Sequence, residues 1–221
     1  MVTHAQVSVF VPNLIGYGRF LLLFLCPVFV YSEQYWYWYT ICYAASQLLD
    51  VVDGMAARKF DQCSRFGAAL DMVCDRTSNA LNFFILASVY PQVSSVFFIC
   101  FILDFGSHFL QFQATALSKA ASHKSDNDKA NWLVKLYYTN YTIFATTVAG
   151  TEVGAVLLFI NAKMPSLHSN VAWIILVGVF SLIMAFKMMV NVYQWIGGVE
   201  RLFAYENQSK SAKEPAKGKR K

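Results

Sequence analysis

Asp50-Val-Val-Asp53-Gly54-Met-Ala-Ala57-Arg58, followed after eight residues by Gly67-Ala-Ala-Leu-Asp71-Met-Val-Cys-Asp75, puts four carboxylates into two apolar runs, each of membrane-helix length. Ionised side chains in a bilayer cost about 2.5 to 3.5 kcal/mol each on insertion scales, so such a cluster needs partners or a water-filled cavity. At 100° per residue Asp50 and Asp53 lie within about 60° of each other, while Gly67, Asp71 and Asp75 follow at i, i+4 and i+8 on one face. The polar stretch 58–66 reverses the chain. With Gln62 as its middle, Asp53 and Asp71 are each nine residues away, Asp50 twelve and Asp75 thirteen. An antiparallel pair therefore sets all four at one depth, about 10 to 20 Å from the loop at 1.5 Å per residue.

The rest of the chain agrees with a bilayer. Of 221 residues, 57% are hydrophobic, 16% aromatic and only 14% charged, too apolar for an ordinary soluble domain. The sequence predicts an all-α polytopic membrane protein with six transmembrane helices, near residues 11–31, 35–58, 67–90, 93–117, 136–160 and 171–198. The first run is too long for a signal peptide, contains Asn13 and Arg19, and is followed by no small-residue cleavage site, so it is expected to be retained. With both termini cytosolic, 14 of the 18 basic residues fall in the cytosol and only Lys163 on the far side; Arg19, Arg76 and Lys187 lie within or near spans. The chain is expected to form one six-helix transmembrane domain over residues 1–208 and a basic disordered cytosolic tail over 209–221, attracted to anionic headgroups. The ending Lys217-Gly218-Lys219-Arg220-Lys221 also resembles a retrieval signal of endoplasmic reticulum membrane proteins. Cys26, Cys42, Cys63, Cys74 and Cys100 are scattered without zinc spacing and read as small hydrophobes.

Four carboxylates without a convergent His or Cys form an all-oxygen site, which suits Mg²⁺ or Mn²⁺, and two dications would balance the four charges. Two other readings stay open on spacing alone: Arg58, Arg65 and Arg76 pairing with the aspartates, and carboxylates that carry an ion across the membrane. Gly54, Ala57 and Gly67 permit close helix approach, or leave room for a nucleotide with Arg58 one turn beyond Gly54 to meet phosphate.

Taken together, Asp50-x-x-Asp53-Gly54-x-x-Ala57-Arg58, eight residues and Gly67-x-x-x-Asp71-x-x-x-Asp75 resemble the signature of the CDP-alcohol phosphotransferases at all eight fixed positions. Val11–Arg19, Ser107-His108, Ser122-His123-Lys124 and Tyr137-Tyr138-Thr139 resemble segments of the eukaryotic phosphatidylinositol synthases within that family. The resemblance implies transfer of a phosphatidyl group from CDP-diacylglycerol to myo-inositol. It further implies two Mg²⁺ or Mn²⁺ ions, the first on Asp50, Asp53 and Asp71 and the second on Asp53, Asp71 and Asp75. Gly54, Arg58 and Ser64 correspond to CDP-lipid contacts and Asp75 to the general base. Dimers are common in the family, and nothing points to nucleic acid.

Asp104 and His108, one turn apart, read either as a functional pair or as a helix-to-helix hydrogen bond. Ser122, His123 and Lys124 read as acceptor or phosphate contacts or as a solvated loop. Residues Tyr35 to Tyr39 read as an interfacial aromatic belt, and His4 and His168 as chemically idle. The competing functions are the same chemistry on glycerol 3-phosphate, serine, choline or ethanolamine, an ion-coupled transporter, and a scaffold. A transporter is expected to show inverted repeats or broken helices, of which the sequence shows no sign.

Overall fold

Asn13, Gly16, Arg19, Leu23, Cys26 and Val30 recur every three or four residues, and in the computed structural model they form the buried face of one helix, Val11–Val30. The structure describes residues 4–121 and 132–213. Its helices are α1 (His4–Ser8), α2 (Val11–Val30), α3 (Tyr37–Lys59), α4 (Arg65–Val89), α5 (Ser94–Ala121), α6 (Trp132–Thr139), α7 (Tyr141–Lys163) and α8 (Val171–Lys213). There is no strand among the described residues. The chain folds as two compact units, Met1–Ile85 and Leu86–Lys221.

The burial pattern is that of a protein dissolved in lipid. Arg19, Asp53, Asp104, Lys187, Asn191 and Gln194 are buried, while Leu21, Phe24, Val28, Ile99, Ile102 and Leu182 are exposed. Where the solvent is hydrocarbon, the apolar surface faces out and polar groups must find partners within. Val11–Val30, Pro91–Leu117, Tyr141–Lys163 and Val171–Asn207 are each long and apolar enough to cross a membrane. At the other two expected spans stand α3 and α4, of 23 and 25 residues, which carry the aspartates and are not among these four.

Two boundaries differ from expectation. The apolar run from 136 is broken at Asn140, whose side chain accepts from the Thr142 and Ile143 N–H groups and so starts α7 afresh at Tyr141. Hydropathy does not register a single Asn, but a cap ends one helix and begins another. At the other end α8 runs for 43 residues to Lys213, into the first residues of the expected disordered tail.

The second unit is tied by small residues and polar links. Gly106 lies against the Trp195 ring and Gly154 against Met184 and the Phe180 carbonyl, so neither position has room for a larger side chain. Lys187 donates to Asn191 at 2.9 Å, and Asn191 donates to Asp104 at 3.2 Å, joining α8 to α5.

Candidate active site

The first unit owes its geometry to a tight reversal. α3 ends with Gln62 N–H donating to the Ala57 carbonyl while Asp61 adopts φ 52°, the left-handed cap conformation usually given to glycine. Two residues on, Ser64 accepts from the Gly67 N–H at 2.9 Å and caps α4. Gln62 in turn accepts from the Val11 N–H at 2.8 Å, which fixes the reversal to the start of α2. Further along, Tyr39 donates to Asn82, and Gln47 donates to Ser78 at 3.3 Å, so α3 and α4 run side by side in register.

That register brings the four aspartates to one place, around a residue of α2. Arg19 Nη1 lies 2.6 Å from Asp50 Oδ1, 3.0 Å from Asp53 Oδ2 and 2.9 Å from Asp71 Oδ1, and Nη2 lies 2.7 Å from Asp75 Oδ1. The Arg19 side chain is 0% exposed, whereas those of Asp50, Asp71 and Asp75 are 40%, 51% and 36% exposed. Asp50, Asp71 and Asp75 are thus backed by a buried cation and open on their other side, while Asp53 is buried. Arg76 stands 3.8 Å from Asp75 Oδ2. Arg19 was legible in the sequence only as a charge inside a span; its register with Asn13 and Gly16 on one face was the available signal.

The donor set fits a divalent cation. Carboxylate oxygens of Asp50, Asp53 and Asp71 lie within 4.8 Å of one another, all hard oxygen ligands, with Asp53 buried and Asp71 exposed. Arg19 offsets one of the four negative charges, which leaves a deficit that a divalent ion would fill. Beside the aspartates is a cavity of about 180 Å³, lined among others by Asn13, Asp53, Gly54, Ser64, Gly67 and Asp71. A Cβ on Gly67 would stand 2.9 Å from Asn13 Oδ1 and 3.1 Å from Ser64 Oγ. The Arg58 guanidinium lies over Gly54, 3.5 Å from where a Cβ would be.

Gly54, Arg58, Ser64 and the four aspartates therefore share one neighbourhood of the first unit. Asp104 and His108 belong to the second: His108 Nδ1 is 2.8 Å from the Asp104 carbonyl oxygen and 3.7 Å from its carboxylate. Ser122, His123 and Lys124 lie outside the described residues, as does the tail beyond Lys213. Of the aromatic run, Tyr35, Tyr37 and Trp38 are exposed as a belt requires, but Tyr39 is buried. His168 meets the Asn161 carbonyl at 2.9 Å in a turn.

The sequence that carries this aspartate cluster has known relatives. Residues 9–193 match the CDP-alcohol phosphatidyltransferase family, and the chain belongs to that family. It is similar to the CDP-diacylglycerol–inositol 3-phosphatidyltransferase of Schizosaccharomyces pombe, with 37% identity covering 72% of this chain and 67% of that one. The protein of the same name from Saccharomyces cerevisiae is 34% identical over 98% of this chain and 95% of its own, and that from Homo sapiens 35% identical over 70% and 72%. No solved structure matches the chain.

Proposed function

We infer that this protein transfers the phosphatidyl group of CDP-diacylglycerol to myo-inositol, giving phosphatidylinositol and CMP. The observation that carries the reading is the convergence of Asp50, Asp53, Asp71 and Asp75 beside a small-residue cavity, in a chain whose relatives bear the name of that reaction. Asp50, Asp53 and Asp71 would hold one Mg²⁺ or Mn²⁺ and Asp53, Asp71 and Asp75 a second. Bound there, the ions would offset charge on the diphosphate and on the departing CMP. Arg58, over Gly54, adds a fixed positive fork toward phosphate. Gly67 and Gly54 leave space along the helix backbones, and Ser64 presents a hydroxyl at the cavity wall. Asp75 takes the proton of the acceptor hydroxyl; the freed oxygen bonds to the phosphorus that bears diacylglycerol, and the bond from that phosphorus to the CMP oxygen breaks. Asp75 is paired with Arg19 and is a weak base, so positioning supplies more of the rate than basicity.

The same reading has six spans in the endoplasmic reticulum membrane with both termini and the carboxylates on the cytosolic side, and a homodimer. The charge distribution supports the orientation. The test is CMP release from CDP-diacylglycerol by purified protein with Mg²⁺ or Mn²⁺ and each acceptor in turn. Inositol should support it and yield labelled phosphatidylinositol. Release with glycerol 3-phosphate or serine but not inositol would reassign the acceptor, and metal-independent release would remove the cation from the reading.

A further inference from the structure

Arg19 is held as no ordinary ion pair is. Its Nη1 carries two protons yet lies within 3.0 Å of three carboxylates, so they outnumber its hydrogens, and its Nε has no hydrogen-bond partner. The fit is that of a positive charge placed where three carboxylates meet, not of a guanidinium whose planar fork is matched by its partners. Those three, Asp50, Asp53 and Asp71, are also the carboxylates whose oxygens come within 4.8 Å of one another. A guanidinium and a dication cannot both neutralise them at close range without repelling each other.

We propose that Arg19 is an internal countercharge in competition with the divalent cation: it holds the carboxylate frame together while the cation is away, and it weakens metal binding because it must give up Asp50, Asp53 and Asp71. This rests on the metal reading of the site. Arg19 is a positioning residue in this role, and its burial means that it stays close enough to return when the cation leaves. A site so arranged discharges its metal without four bare carboxylates driving α3 and α4 apart.

The test uses full-length protein in detergent micelles, as wild type, Arg19→Lys and Arg19→Met. Free Mn²⁺ is counted by its electron paramagnetic resonance signal, and melting is followed in EDTA and in saturating Mn²⁺. Arg19→Met should bind Mn²⁺ more tightly by about tenfold or more, with Arg19→Lys between it and wild type because one ammonium cannot cover both Nη positions. Arg19→Met should melt earlier than wild type in EDTA and recover in saturating Mn²⁺, since the cation then does the neutralising. Equal or weaker Mn²⁺ binding in Arg19→Met would overturn the proposal, as would failure of both variants to fold even in saturating Mn²⁺, which would make Arg19 a permanent part of the loaded site. Wild-type protein that binds no Mn²⁺ would remove the metal reading itself, whereas tight wild-type binding unchanged in the variants would sink only the competition.

Discussion

The four aspartates differ in how much of their surroundings each controls, and substitutions should separate them. Asp50→Asn, Asp53→Asn and Asp71→Asn each remove one charge at nearly constant volume from the group within 4.8 Å. Each should lose phosphatidyl transfer together with metal-dependent CDP-diacylglycerol binding, while the protein still inserts and elutes as a folded species. Near-normal turnover at saturating metal in any one would strike that residue from the ligands. Asp75 sits apart on Nη2, and Asp75→Asn should keep most CDP-lipid binding yet lose transfer to inositol by about 10² or more, the scale of removing a general base. A thermal-shift titration with CDP-diacylglycerol beside a single-turnover assay would display the split. Equal loss of binding in Asp75→Asn and Asp50→Asn would make Asp75 chiefly a ligand. The alignment of these residues could be read from the chain because it depends on local quantities only, the helical period and a loop near the midpoint of the spacing. Their cationic partner could not. Arg76, one of the three nearer arginines, does stand 3.8 Å from Asp75, but the choice of Arg19 as the cation shared by all four is made by the packing face of α2, which spacing within α3 and α4 does not encode.

At the scale of elements, the start of α4 is where α2 comes close beside the cavity. A Cβ at residue 67 already meets Asn13 Oδ1 at 2.9 Å, so Gly67→Leu must push α2 from α4 or fill the cavity. CDP-diacylglycerol binding should fall steeply, and ordinary binding in that variant would undo the close-approach argument. Asn140 offers a second test, at a helix cap. Asn140→Ala leaves the Thr142 and Ile143 N–H groups without their side-chain acceptor and should cost about 1 kcal/mol in denaturant unfolding. Loss of activity with unchanged stability would mean that the residue does more than begin a helix. Apolar length located the long helices, four of them apolar enough to cross a membrane, yet it passed over this break and over the continuation of α8 to Lys213, because a cap and a polar helix end are invisible to an average.

For the whole molecule the open question with the widest consequence is orientation. Cys63 is exposed in the reversal between α3 and α4, while Cys26, Cys42 and Cys74 are buried. In sealed, right-side-out endoplasmic reticulum vesicles a membrane-impermeant maleimide should label Cys63 from the cytosolic face; labelling only after the vesicles are opened would turn the protein over and place its site in the lumen. The Arg19 contacts also impose an order of events during synthesis. Arg19 is 34 residues ahead of Asp53, 52 ahead of Asp71 and 56 ahead of Asp75. At about 5 to 20 residues per second, a ribosome needs several seconds to deliver the last of these partners. Until α3 supplies Asp50 and Asp53, the first span carries a lone cation at a cost of about 2.5 to 3.5 kcal/mol in lipid. A nascent chain ending after α2 should therefore linger at the insertion machinery, and release into the bilayer should await the emergence of α3.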